Sequence, residues 1–158
     1  MNSSKLTLDK VISNRPNNSK LIGLDLGTKT IGIAFSDTRL QIATARNTLK
    51  RTKFTTDANT LLRLAETENV FAIVLGLPFN MDGSEGQRAQ STRAFASNLK
   101  KLTDLPIFFQ DERLSTHAAQ EAMIEADMSR KKRAEKIDAV AAAIILQAAL
   151  DRLNDQSR

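Results

Sequence analysis

The chain has no cysteine, no tryptophan, no tyrosine and a single histidine, His117. The missing thiols exclude disulfides and thiolate metal centres, so a metal site would have to be built from oxygen donors or that one imidazole. His117 stands alone near an expected helix start, and no catalytic role is assigned to it. The aromatics are seven phenylalanines, mostly in apolar contexts, which argues against a platform that stacks bases. Long apolar runs are also lacking. The longest lies near residues 137–150, is interrupted by Asp138 and Gln147, and is too short and too polar for a membrane span. The opening "MNSSKLTLDKVISNRPNNSK" lacks the uninterrupted apolar core of a signal peptide, and its Asn, Ser, Lys and Pro content predicts a loose extension over residues 1–19. A cytoplasmic protein without membrane contact is expected.

What remains is one domain's worth of chain: 158 residues, 41% of them apolar, enough to bury a core. Lys and Arg number 23 against 18 acids, a net charge of +5, which suits a polyanionic partner without establishing one. Strand-like stretches run at about 21–27, 30–37 and 40–49, too closely spaced for helices between them, so an antiparallel meander is expected. Helical spacing follows at 54–69, where Phe54, Ala58, Leu61, Leu62 and Ala65 share a stripe. "VFAIVLGLP" at 70–78 is continuously apolar, as a central parallel strand covered on both faces would be. Helical spacing returns at 86–102, and Pro106 opens a strand in "PIFFQDER". Ser115 or Thr116 could cap a helix to about 125, and residues 134–153 form a final helix. The expected architecture is α/β: a mixed five-stranded sheet, meander first and parallel strands after, with helices on both faces, in a single domain over 20–154 and a short tail at 155–158.

Three acids stand where acids are expensive. In "LIGLDLGTKTIGIAFSD" (21–37), Ile22, Leu24 and Leu26 share one face of a strand, and Gly23, Asp25 and Gly27 share the other. The second face is stripped of bulk around one carboxylate, as if something large approached the backbone there. A second acid, Asp111 or Glu112, ends the last strand, where ligands of open α/β sheets gather. Only one of the two can face the way Asp25 does. The third, Asp138, opens the apolar stretch of the last helix, and a charge there must be paired, metal-bound or neutralised. Taken singly, each acid could be solvated or paired with one of the many Lys and Arg residues. Converging, the three would make an oxygen-donor set for hard divalent cations and a site for phosphodiester cleavage.

Four segments, "GLDLGTKTIGIAFSD", "GLPFNMDGSEGQRA", "DERLST" and "KKRAEKIDAVAAAIILQAALD", resemble in sequence and order the motifs of the YqgF/RuvX family. The resemblance covers about residues 20–153. Members of that family have an RNase H-like fold and are described as candidate pre-16S rRNA nucleases or Holliday junction resolvase-like proteins. It implies that Asp25, Glu112 and Asp138 are the catalytic acids and hold one or two Mg²⁺ or Mn²⁺ ions. It implies a hydrolase that processes the 5′ end of 16S rRNA precursor in ribosome biogenesis, with ribosomal particles as a further partner. The alternatives are a structure-specific nuclease or resolvase acting on branched DNA, or a nucleic-acid-binding factor with little catalysis. Nucleic-acid contacts are expected from Lys29, Asn80 in the "NMDGSEG" loop, Arg88, Arg113 and the basic run Lys131, Lys132 and Arg133. Two features depart from the family and its wider group. Thr30 stands where an Arg is usual, and the strand after the first helix ends "GLP" without an acid, so Glu112 on the neighbouring strand must serve. "GLDLGT" also resembles the first phosphate loop of actin and Hsp70-type ATPases, but those hold nucleotide between two duplicated domains and this chain has room for one.

Overall fold

The computed structural model describes residues 7–80, 82–111 and 130–156, with backbone alone for 130–138 and 156. A short helix, α1 (Leu8–Ser13), precedes β1 (Lys20–Leu26), β2 (Thr30–Ser36) and β3 (Ala43–Lys50). Then come α2 (Phe54–Thr67), β4 (Val70–Leu77), α3 (Gln87–Lys100), β5 (Ile107–Asp111) and the long α4 (Arg130–Gln156). The sheet order is β3-β2-β1-β4-β5. β1 pairs antiparallel with β2, and β2 with β3. β4 lies parallel to both β1 and β5. This is the expected meander feeding parallel strands, and all eight residues of β4 are buried, as its continuous apolar run requires.

The two faces divide as the alternation predicts. Ile22, Leu24, Leu26, Ile33 and Phe35 pack with Ala58, Leu61, Phe95 and Leu99 of α2 and α3. Leu21, Ala34, Phe71 and Val74 pack on the other face with Ala142, Ile145, Leu146 and Leu150 of α4. The large object approaching the backbone at Gly23 is α4 itself. A Cβ on that glycine would stand 2.8 Å from the Leu146 Cβ and 3.1 Å from the Ala142 carbonyl oxygen.

β3 begins three residues later than expected because residues 37–42 form a turn. The Asp37 carboxylate accepts from the N–H groups of Gln41 (2.7 Å) and Ile42 (3.0 Å), and Leu40 takes a positive φ of 58°. Burial pushes the Asp37 carboxyl up, but bonds from the Ile42 and Gln41 N–H groups outweigh it and hold the acid below its ordinary range. The segment expected to be loose contains α1. Thr7 caps it through a bond from the Lys10 N–H, and Leu8, Val11 and Ile12, at helical spacing, pack against the α4 face. Asn, Ser and Lys around this short apolar stripe obscure it in composition. Among the described residues no helix is long and apolar enough to cross a membrane.

Candidate functional site

β1, β4 and β5 run parallel, so their carboxyl ends lie along one edge of the sheet, and Asp25 sits one residue from that end of β1. The residue is 2% exposed. Alternation from Gly23 puts it on the face covered by α4. α4 runs opposite to β1: the Gln147 side chain accepts from the Ala43 N–H near the start of β1, and Ala142 and Leu146 lie over Gly23. Position 138 lies one helical turn before Ala142, on the helix that covers the Asp25 face.

At the other acid, the structure separates the candidates. Ile107 and Phe109 pack on the α2/α3 side, and Phe108 packs on the α4 side. Asp111 therefore shares the face opposite to Asp25 and is exposed. Gln110, on the α4 side and 9% exposed, accepts from Arg152 Nη1 at 3.0 Å. Glu112 and Arg113 lie outside the described residues, as do the side chains of Lys131, Lys132, Arg133 and Asp138. His117 and the expected helix after Ser115 lie outside them too. Among the described residues no group of three acids or imidazoles could hold a metal ion.

The β1–β2 turn carries Lys29 exposed to solvent and is closed by a bond from the Gly27 N–H to the Thr30 carbonyl oxygen, 2.8 Å. Arg88, in the first turn of α3, donates from Nη2 to the Leu26 carbonyl oxygen at 3.1 Å. Asn80 is exposed and helps to build its own loop. Its N–H donates to the Ser84 carbonyl oxygen (2.7 Å), and its side-chain amide donates to Ser84 Oγ (3.0 Å). That loop is fastened to α3 by a two-pronged bond from Arg93 to Glu85, 2.6 and 2.8 Å, with the Arg93 guanidinium over the Phe109 ring. The Arg93 bond holds the Glu85 carboxyl below its ordinary range and raises Arg93 in turn.

Sequence reasoning missed Arg51. It donates from Nη1 to the Gly27 carbonyl oxygen at 2.7 Å, beside the turn that follows Asp25. The available signal was "KRTK" at 50–53, three bases in four residues directly after a strand.

A five-stranded sheet of this order, helices on both faces and an acid buried at the end of the first strand define a domain of the RNase H-like class. Solved structures share the fold. Thermus thermophilus RuvC, in complex with a Holliday junction substrate, aligns with a TM-score of 0.53 at 14% identity, covering 86% of this chain and 96% of that one. The fowlpox virus resolvase aligns with a TM-score of 0.53 at 11% identity, covering 85% and 98%. The family model RuvX, described as Holliday junction resolvase, matches residues 19–152. A Rhodobacter capsulatus protein named "Putative pre-16S rRNA nuclease" is 60% identical over 146 residues, 92% of each chain. A Rhizobium meliloti protein of the same name is 53% identical over 153 residues, 97% of this chain and 93% of that one. The chain belongs to the RuvX family and is a nuclease, a hydrolase of phosphodiester bonds.

Proposed function

We propose that the chain is a divalent-cation-dependent endonuclease whose Asp25, Glu112 and Asp138 form the ligand set, with precursor 16S rRNA as substrate. The observation that carries this reading is the burial of Asp25 near the end of β1, on the face that α4 covers. A carboxylate so buried needs a compensating charge or donors. Two further acids would make an all-oxygen set, the donor chemistry suited to Mg²⁺ or Mn²⁺. One or two such ions, when bound, supply charge stabilisation to the phosphoryl group and lower the pKa of water. The protein's own contribution is positional. The strand and the last helix fix their carboxylates from rigid elements, and Arg88, Lys29 and the run 131–133 hold the phosphate backbone. The packing that turns Asp111 to the opposite face favours Glu112 for the role at the end of β5.

The substrate follows the names of the Rhodobacter and Rhizobium relatives, and the expected setting is the cytoplasm, where ribosomal particles would present the RNA. Branched DNA is the second reading, favoured by the family's description as a resolvase. Purified protein should be incubated with an RNA spanning the 5′ end of the precursor and with a four-way DNA junction. Mg²⁺, Mn²⁺ or chelator would be present in turn. Cation-dependent cleavage of the RNA, lost in Asp25→Asn and Asp138→Asn, is expected. Cleavage of the junction alone would favour the second reading. No cleavage of either, with binding intact, would leave a nucleic-acid-binding factor.

A further inference from the structure

At the tip of β1 a cavity of about 110 Å³ opens between the β1–β2 turn, the end of β3 and the start of α3. Its lining includes Gly27, Thr28, Arg51, Arg88 and Ser91. The two guanidiniums arrive from different elements and donate to successive carbonyl oxygens of β1's end, Arg88 to Leu26 at 3.1 Å and Arg51 to Gly27 at 2.7 Å. We propose that this cavity is a phosphate subsite, holding a phosphodiester that flanks the one hydrolysed. The proposal rests on the nuclease reading.

Size selects the ligand first. At about 30 Å³ of liquid volume per water, the cavity holds roughly three or four waters, below the ~300 Å³ of an ordinary small-molecule pocket. Its size suits a tetrahedral anion.

Charge selects next. The bond from Arg51 to a neutral carbonyl uses one of a guanidinium's five donors and leaves its positive charge in place. Among the described residues Arg51 has no ion pair. Hydroxyls of Thr28 and Ser91 line the same space, and both residues are exposed, so a strand can reach them from solvent.

The subsite is also held in place before any ligand arrives. The Arg51 N–H donates to the Lys29 carbonyl oxygen at 2.9 Å, and the next residue, Thr52, donates from N and Oγ1 to the buried Asp57 carboxylate. A cation fixed in this way loses little freedom on meeting a phosphate. Its bond to Gly27, two residues beyond Asp25, ties the same turn to the carboxylate strand. A phosphate bound there would set the register of the strand as well as its affinity.

The test measures binding of the full-length protein to a short fluorescein-labelled single-stranded RNA, and to DNA of the same sequence, in chelator over a range of salt. Chelator separates binding from cleavage. Arg51→Gln should weaken both probes several-fold near 0.1 M salt and reduce the slope of log K against log salt by about one. Ser91→Asp puts a negative charge at the rim without touching the Gly27 bond. It should weaken binding in the same direction while melting as wild type does. Unchanged affinity and slope in Ser91→Asp, or in folded Arg51→Gln, would overturn the subsite while wild-type cleavage left the nuclease reading standing. A wild-type protein that binds and cuts neither probe would overturn both.

Discussion

Gly23 and Leu146 meet so closely that a methyl group on the glycine would lie 2.8 Å from the leucine Cβ. The Leu146 Cβ and the Ala142 carbonyl oxygen are fixed to the helix backbone and cannot swing away, so α4 would have to shift as a body. Gly23→Ala should therefore destabilise the protein by about 1–3 kcal/mol, the cost of overpacking a filled core. Position 138, a ligand position in the proposed site, rides on the same helix one turn before Ala142, and displacing a catalytic group by ~1 Å can cost ~100-fold in rate. Cleavage by the still-folded fraction should fall well beyond what the loss of stability explains. Urea unfolding and initial rates on the same preparation check both.

Asp25→Asn keeps the shape of the buried side chain and removes its charge. In chelator the variant should melt at or above the wild-type temperature, because burial opposes a charged carboxylate and, in the proposed site, two further acids would add to that. Excess Mg²⁺ or Mn²⁺ should then raise the melting temperature of wild type and leave the variant nearly unmoved, since in the proposed site only wild type would keep the full ligand set. Its cleavage rate should fall by about 100-fold or more, the loss of several kcal/mol of charge stabilisation. Thermal melts with and without cation, beside cleavage assays, give the result. A variant much less stable in chelator, with equal cation shifts in both proteins, would make Asp25 a structural residue.

Neutralising Lys131, Lys132 and Arg133 together should weaken binding to RNA whatever its sequence. The salt slope should fall by about one for each phosphate that the variant no longer neutralises. Fluorescence titrations at several salt concentrations report both quantities. An unchanged slope would mark the run as a solvated helix face.

The pattern of alternation in "LIGLDLG" made the sheet legible, because side-chain period 2 leaves few ways to bury Ile22, Leu24 and Leu26 together. The same pattern singled out Asp25 and the close approach at Gly23, but not that the approaching object is a helix. That helix is distant in sequence, and no local rule links Gly23 to Leu146. The choice between Asp111 and Glu112 was open for a similar reason: a single strand does not say which of its faces meets α4, and it is the packing of Phe108 and Phe109 on opposite sides that puts Asp111 on the face away from it. Arg51 escaped notice because a basic residue after a strand is common, and what distinguishes this one is a bond to a carbonyl far away in the chain.

Acid should reveal the ion pair at the other end of β1. Lys20 Nζ lies 3.0 Å from Glu68 Oε1, and Arg46 lies 3.4 Å from the same oxygen. The bond from Lys20 holds the Glu68 carboxyl below its ordinary range against the opposing effect of burial, with the charges of Lys20 and Arg46 adding to it. A carboxyl lowered in the folded state contributes stability above its unfolded pKa and loses it as pH falls through the folded value. Glu68→Gln should therefore cost about 0.5–1 kcal/mol near neutrality. The difference from wild type should vanish once both proteins are measured at a pH where Glu68 is protonated. Urea unfolding across pH tests this, and high salt should shrink the neutral-pH difference.

α1 packs Leu8, Val11 and Ile12 against the cluster that includes Phe71 and Leu150. Just beyond it, Arg15 bonds to the carbonyl oxygens of Ser19 and Thr38 and lies over the Phe71 ring. The family model begins at residue 19, whereas the Rhizobium relative aligns over 97% of the chain. The unit that the family model describes is thus smaller than the unit that buries its own core. A fragment trimmed to residue 19 would keep the carboxylate end of the sheet intact and strip the opposite end of its cover. It would be expected to lose solubility before it lost chemistry.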